Sequence, residues 1–210
     1  MLSASTHHFS ANSPALLEKR SPAALFQSAG LVVRRVTEQQ DQLATDLLVR
    51  RMYSWRGYET KHFLSPLRDT DRVTLGVWQN GEIAATLTLS QDNERGLLCE
   101  SLYPKEIADL RNRNNRICEY SRFAIDPEFS SQTLLDSLFR TAYYFTYSHF
   151  GATDAVVEVN PRHSRYYQRE LGFTCIGPRR VCPRVDAPAM LLHRNLRQPV
   201  PRAWASSIAA

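Results

Sequence analysis

At 210 residues, with 43% apolar and 22% charged side chains, the chain has the length of one domain and enough apolar material for a proper core. No stretch approaches the run of about eighteen apolar residues that a membrane-spanning helix needs, and residues 1–30 lack the basic start and apolar centre of a secretory signal. The formal charge of +5, from 26 basic and 21 acidic residues, concentrates in arginines: Arg111/Arg113/Arg116, Arg162/Arg165/Arg169 and Arg179/Arg180/Arg184. Such a rim suits an acidic partner. Nucleic acid is not indicated, since there is no helix-turn-helix, zinc-finger or RNA-binding strand signature. Cys99, Cys118, Cys175 and Cys182 show no C-x-x-C pair or metal-ligand spacing. They read as free thiols of a cytoplasmic protein, with no metal expected.

Residues 1–30, rich in Ser, Ala, His and Pro, read as a mobile leader with a short helix near Pro14–Lys19. The domain is expected over 31–197 and a loose tail over 198–210. Leu31–Val36 is a first strand. Thr37 and Gln40 then offer a capping box for a helix running to about Tyr53. A long loop follows from Arg56 to Arg72. Val73–Gln79 and Glu82–Ser90 flank Asn80-Gly81, a strong hairpin signal. Pro104–Arg113 is a helix with Ile107 and Leu110 on one face. The longest helix spans Ser131–Phe150, with Gly151 as its cap. Asp154–Val159 is an apolar strand that runs into Asn160 as N-cap and Pro161 as first helical residue. Gly172 ends that helix, and Phe173–Ile176 and Ala187–Arg194 supply the last strands. Strands and helices in this order predict a single α/β domain on a mixed sheet.

The segment from Cys118 to Asp126 carries an acid and a base, Glu119 and Arg122, inside what reads as a buried strand. Burying either charge costs several kcal/mol in order-of-magnitude terms unless it is paired or hydrogen-bonded. On an ideal strand Glu119, Ser121 and Phe123 face one way, and Tyr120, Arg122 and Ala124 the other. Glu119 and Arg122 therefore share a site only if a bulge or twist intervenes. A structural ion pair is the plain alternative.

The run Glu-x-Ser-Arg-Phe-Ala-Ile from Glu119 to Ile125 resembles the central strand of the LuxI-type autoinducer synthases and the related FeeM-type long-chain N-acyl amino acid synthases. The block Asn160-Pro-Arg-His163, followed by Tyr167 and Leu171-Gly-Phe173, is similar to the FeeM-type sequences in particular. Arg50–Tyr58 is similar to the start of that domain. The resemblance spans roughly residues 31–197. It implies a GNAT-like acyltransferase fold and transfer of a long-chain fatty acyl group from acyl carrier protein to the α-amine of an amino acid. It implies no tightly bound cofactor; the donor is the phosphopantetheine thioester of the carrier protein, in preference to acyl-CoA.

In GNAT enzymes that use coenzyme A, a glycine-rich loop after the central strand cradles the pyrophosphate with backbone amides. Here the stretch Asp126–Leu134 has no glycine and no basic residue, which speaks for the carrier-protein donor. The chemistry needs a neutral amine, a polarised carbonyl and a proton for the leaving thiolate. Glu119 is the candidate base, and Tyr167, where many GNAT enzymes keep a general acid, the candidate proton donor, with Tyr166 as a rival. Arg122 suits the acceptor carboxylate or the orientation of Glu119. Ser121, Arg56, Arg162 and His163 are the remaining candidates for substrate binding. Trp55 and Tyr58 are candidates to line the opening. Asn160 is expected to cap its helix. Asp69 and Asp71 match the acid pair of the autoinducer synthases only loosely. Three other functions stay open: an acyl-homoserine-lactone synthase, a CoA-dependent N-acetyltransferase, and a non-catalytic module that binds acyl groups or carrier protein.

Overall fold

The computed structural model describes residues 24–28, 30–58 and 70–201. The Pro14–Lys19 helix, most of the loop after Arg56, Asp69 and the end of the tail lie outside the described residues. The strands are β1 (Ala24–Ser28), β2 (Leu31–Arg35), β3 (Arg72–Gln79), β4 (Glu82–Gln91), β5 (Ile117–Ile125), β6 (Asp154–Val159), β7 (Thr174–Cys182) and β8 (Ala187–Asn195). They form a sheet of order β1-β2-β3-β4-β5-β6-β8-β7. Only the β5–β6 pairing is parallel among those described. The sheet begins at Ala24, within the stretch expected to be a leader, because β1 pairs with β2.

Among the described residues four α-helices cover the sheet: α1 (Gln39–Trp55), α2 (Pro104–Arg111), α3 (Gln132–Tyr144) and α4 (Pro161–Arg169). One face carries α3 and α4 over Tyr120, Val157 and Phe173 in the largest apolar cluster. The other carries α2 over Ile117, Val156 and Leu191, and α1 over Ala124 through Leu48 and Val49. The expected capping box at Thr37 is absent: α1 starts after Glu38, which makes no side-chain cap bond. Asp41 in its first turn instead meets Arg34 of β2 at 3.1 Å. The long helix predicted to Phe150 leaves α geometry after Tyr144 and finishes as a π turn over Phe145–His149. Asn80 and Gly81 adopt φ of 52° and 89°, as a two-residue hairpin turn requires.

The feature that shapes the centre is a bulge in β5. Ala124 pairs with Thr86 but Ser121 with Thr88, so β5 carries one residue more than β4 across this interval. Arg122 absorbs it with φ of 51°, in the left-handed region. The bulge resets the alternation expected for an ideal strand. Phe123 joins Tyr120's side, packing on Phe139 of α3, while Ala124 moves to the α1 side.

A left-handed backbone costs a residue with a Cβ roughly 1–2 kcal/mol. The normal order of Ala over Gly in strands is therefore expected to invert here: Arg122→Gly is predicted to be more stable than Arg122→Ala by up to about 1 kcal/mol in urea denaturation. Both variants lose the same side chain, so the ordinary order, Ala ahead, would show that the bulge carries no such strain.

Candidate active site

The β5–β6 ladder ends at Tyr120 and Val157, yet β5 continues to Ile125 and β6 to Val159. The two strands part, and backbone groups of β5 beyond Tyr120 lose their partners in β6. Into the gap opens a cavity of about 570 Å³, within the usual range of ligand sites. Residues 119–125 of β5 and 157–159 of β6 form its centre. Met52, Tyr53, Trp55, Arg56 and Tyr58 close one side, and Tyr166 and Tyr167 of α4 another. The far end is formed by Leu98, Cys182, Arg184 and Val185, with Ala187–Ala189 of β8.

Glu119 is buried at the centre, 2% exposed. Both carboxylate oxygens accept backbone amides, from Leu98 at 2.7 Å and Cys99 at 3.0 Å. Those amides start a 3-10 turn, Leu98–Ser101, that sits between β4 and α2. The turn is itself fixed: Arg111 reaches from α2 to Glu100 at 2.5 Å and to Asp92 at 2.8 Å. Burial pushes the Glu119 carboxyl up to about 7, and the two amides and Arg184 oppose that rise. The structural ion pair with Arg122 is thus not formed; Glu119's partners are amides. Arg122 lines the same cavity, brought there by its bulge; burial and the charge of Arg72 lower its pKa, while Asp46 and Tyr53 favour its cationic form.

Ser121 also lines the cavity, its hydroxyl oxygen buried without a hydrogen bond among the described residues. Tyr167 is 4% exposed, packed edge-on against Phe139 and Phe173, and borders the cavity as well. Burial holds its phenol protonated well above the usual range. Core packing and a place in the site are both true of this tyrosine. Tyr166 borders the cavity too, its hydroxyl buried without a partner among the described residues.

Asn160 caps α4 by accepting from the Arg162 amide at 3.2 Å, and its side-chain nitrogen donates to the Tyr58 hydroxyl at 3.2 Å. Arg162 donates to the same hydroxyl at 3.1 Å and to His163 Nε2 at 3.0 Å. Burial, Arg162 and Arg56 all lower the His163 pKa, which favours the neutral ring. Arg56 lies over Trp55 at 4.9 Å. All seven expected site residues therefore border one cavity. Asp71 does not border it; it meets Arg95 at 3.2 Å.

Among the described residues, three of the nine arginines expected on the basic rim are held in ion pairs instead. Arg111 is held by Asp92 and Glu100, Arg180 by Glu106, and Arg184 by Glu158. Arg162, Arg165 and Arg169 remain exposed on α4, as do Arg113, Arg116 and Arg179 elsewhere. Glu158, Arg184, Cys182 and Tyr53 were not foreseen. Glu158 carried the same signal as Glu119, an acid inside an apolar strand. Arg184 carried none, because its reach across the cavity comes from the β7–β8 turn.

The profile of the N-acyl amino acid synthase FeeM family matches residues 44–195. This chain belongs to that family. It is an acyltransferase of GNAT-like fold. The solved structure of FeeM, an N-acyl amino acid synthase from uncultured soil microbes, superposes with a TM-score of 0.74 at 24% identity, covering 80% of this chain and 93% of that one. A putative N-acetyltransferase from Lactobacillus plantarum gives a TM-score of 0.60 at 11% identity, covering 80% and 99%. An acyl-CoA N-acyltransferase from Pseudomonas aeruginosa gives 0.55 at 15% identity, covering 78% and 97%. Comparison with curated proteins returns no match. No helix among the described residues is long and apolar enough to cross a membrane.

Leu98 opens its turn after an extended Leu97 (φ −100°, ψ 152°), so proline fits there while deleting one of the two donors to Glu119. A hydrogen bond to a charged group is worth roughly 1.5–3 kcal/mol. Leu98→Pro is predicted to raise the midpoint of the Glu119 carboxyl by about one pH unit or more, read by carbon-13 NMR titration. An unmoved midpoint would mean that this amide does not stabilise the carboxylate.

Proposed function

We propose that this acyltransferase moves a long-chain fatty acyl group from the phosphopantetheine arm of acyl carrier protein to the α-amine of an amino acid. The observation that carries the donor assignment is the loop between β5 and α3. Asp126 accepts the Glu128 amide at 3.1 Å, and Ser131 accepts the Leu134 amide at 3.2 Å. Side-chain oxygens thus occupy amides that a pyrophosphate would need, and Asp126 adds a carboxylate paired with Arg51. This favours a donor arm with a single phosphate over coenzyme A. The apolar cavity walls, including Phe123, Ile125, Leu135 and Val159, suit an alkyl chain.

In this reading the thioester lies in the gap between β5 and β6, its carbonyl oxygen toward β5 backbone N–H groups that have no partner in β6. Glu119 takes a proton from the acceptor ammonium. The amine nitrogen attacks the carbonyl carbon, a C–N bond forms and the C–S bond breaks. Tyr167 gives its proton to the departing sulfur and recovers one from the nitrogen of the collapsing intermediate. One thioester and one ammonium become one amide, one thiol and one released proton. Arg122 holds the acceptor carboxylate. Arg56 and Arg162 flank the entrance, where their positive charge meets the donor's phosphate; the neutral His163 ring beside them offers a hydrogen bond, and Ser121 supplies another inside.

The test is incubation of the purified protein with long-chain acyl carrier protein, or with the matching acyl-CoA, and each proteinogenic amino acid, followed by mass spectrometry. N-acyl amino acids are expected from the carrier-protein donor, with coenzyme A at least tenfold poorer. Glu119→Ala is expected to abolish product, and Tyr167→Phe to slow it about 10²-fold. Acyl-homoserine lactone from S-adenosylmethionine, a preference for acyl-CoA, or wild-type levels of product from Glu119→Ala would each overturn part of this assignment.

A further inference from the structure

Glu158 projects from β6 on the same sheet face as Glu119. In the parallel register Glu119 pairs with Val156, and Glu158 lies two residues further along that face. Both carboxylates border the cavity. One cation serves the two: Arg184 donates to Glu158 Oε2 at 2.7 Å through Nη2. Its Nη1 holds the Leu98 carbonyl at 2.6 Å and the Ser101 hydroxyl at 2.7 Å. Arg184 therefore grips both Glu158 and the turn whose amides hold Glu119, so a single side chain sets the distance between the two acids.

The two acids differ in what they have left to accept. Glu119 has both oxygens bonded to amides. Glu158 accepts from Arg184 on Oε2, and its other side-chain partner is the Cys182 thiol, a weak donor, so its carboxylate keeps acceptor capacity. The groups facing Glu158 are Arg184 and the Cys182 thiol from β7 and its turn, Glu119 from β5, Cys99 from the 3-10 turn, Tyr103 at the start of α2 and Tyr53 from α1. Arg184 is the sole permanent cation among them. With both acids ionised this end of the cavity holds one uncompensated negative charge, poorly screened by solvent. A second sign of a ligand here is Ser121, two residues beyond Glu119 on the same face of β5, which borders the cavity with its hydroxyl oxygen buried and without a hydrogen bond among the described residues.

We infer that Glu158, clamped by Arg184, is the ammonium-binding residue of an acceptor subsite for α-amino acids. The inference rests on the acyl-transfer reading above and assigns the two acids separate tasks. Glu158 anchors the ammonium through the acceptor capacity that Arg184 and the weak Cys182 donor leave it, and Glu119 accepts the proton that must leave before attack. An acceptor whose nitrogen carries no charge at neutral pH has no use for that anchor.

The test compares wild type, Glu158→Gln and Glu158→Asp with two acceptors: the best proteinogenic amino acid, and aminooxyacetate, whose nitrogen is uncharged at neutral pH. Glu158→Gln is expected to raise KM for the amino acid at least tenfold and to leave KM for aminooxyacetate within about threefold of wild type. Equal effects on both acceptors, or no effect on either, would overturn the inference. Should the Gln variant fail to fold, the Asp variant, which keeps the charge but draws it back by one methylene, is expected to show the same split in smaller measure. Its absence would again overturn the assignment. A wild type that acylates no amino acid overturns the parent reading instead, so the two failures are distinguishable.

Discussion

Everything at the centre of this molecule follows from keeping one carboxyl group out of water. Glu119 is held by two amides rather than by a cation, and those amides belong to a turn that the flanking chain must pin in place. The arrangement opposes folding at neutral pH. An unfolded Glu119 ionises near its ordinary value of 4.5 and the folded one only near 7, so stability falls as pH rises through that window, by about 3 kcal/mol in all. A group poised to take a proton near neutral pH gives that cost a use.

The bulge at Arg122 and the parting of β5 from β6 act together with this burial. An unbulged strand would place Phe123 beside Glu119 and fill the site with an aromatic ring. With the extra residue, Phe123 turns to α3, Ala124 turns to α1, and Arg122 is left bordering the cavity. The parallel ladder stops at Tyr120, so the same few residues both widen the gap and leave backbone groups facing it. Arginines that composition suggests as a docking rim are partly consumed in holding the far wall: Arg111 and Arg184 fix the turn that fixes Glu119.

Much of this was legible in the sequence because it rests on local rules. Asn80-Gly81 dictates its hairpin, Asn160-Pro161 its helix start, and the acid within an apolar strand announces a buried charge. The strand limits of β6 and the cavity position of Glu119, Arg122, Tyr167, Arg162 and His163 agree with those signals. What was not legible depends on long-range contact. The partners of Glu119 lie about twenty residues earlier in a turn with no recognisable motif, and backbone donors leave no trace in side-chain identity. Glu158 gave the same local signal as Glu119 but gained meaning only when Arg184 was seen to cross to it. The strand at Ala24–Ser28 was hidden by its composition, since an edge strand with exposed residues has little periodicity to show.

The most direct test of Glu119 as the base is the single-turnover rate of acyl transfer as a function of pH, measured with donor and acceptor bound at saturation. A base must be ionised to act, so the rate is predicted to fall on the acid side with a midpoint near 7, and Glu119→Gln to lack both the limb and the turnover. A midpoint in the ordinary carboxylate range, or an acid limb that persists in Glu119→Gln, would contradict the account.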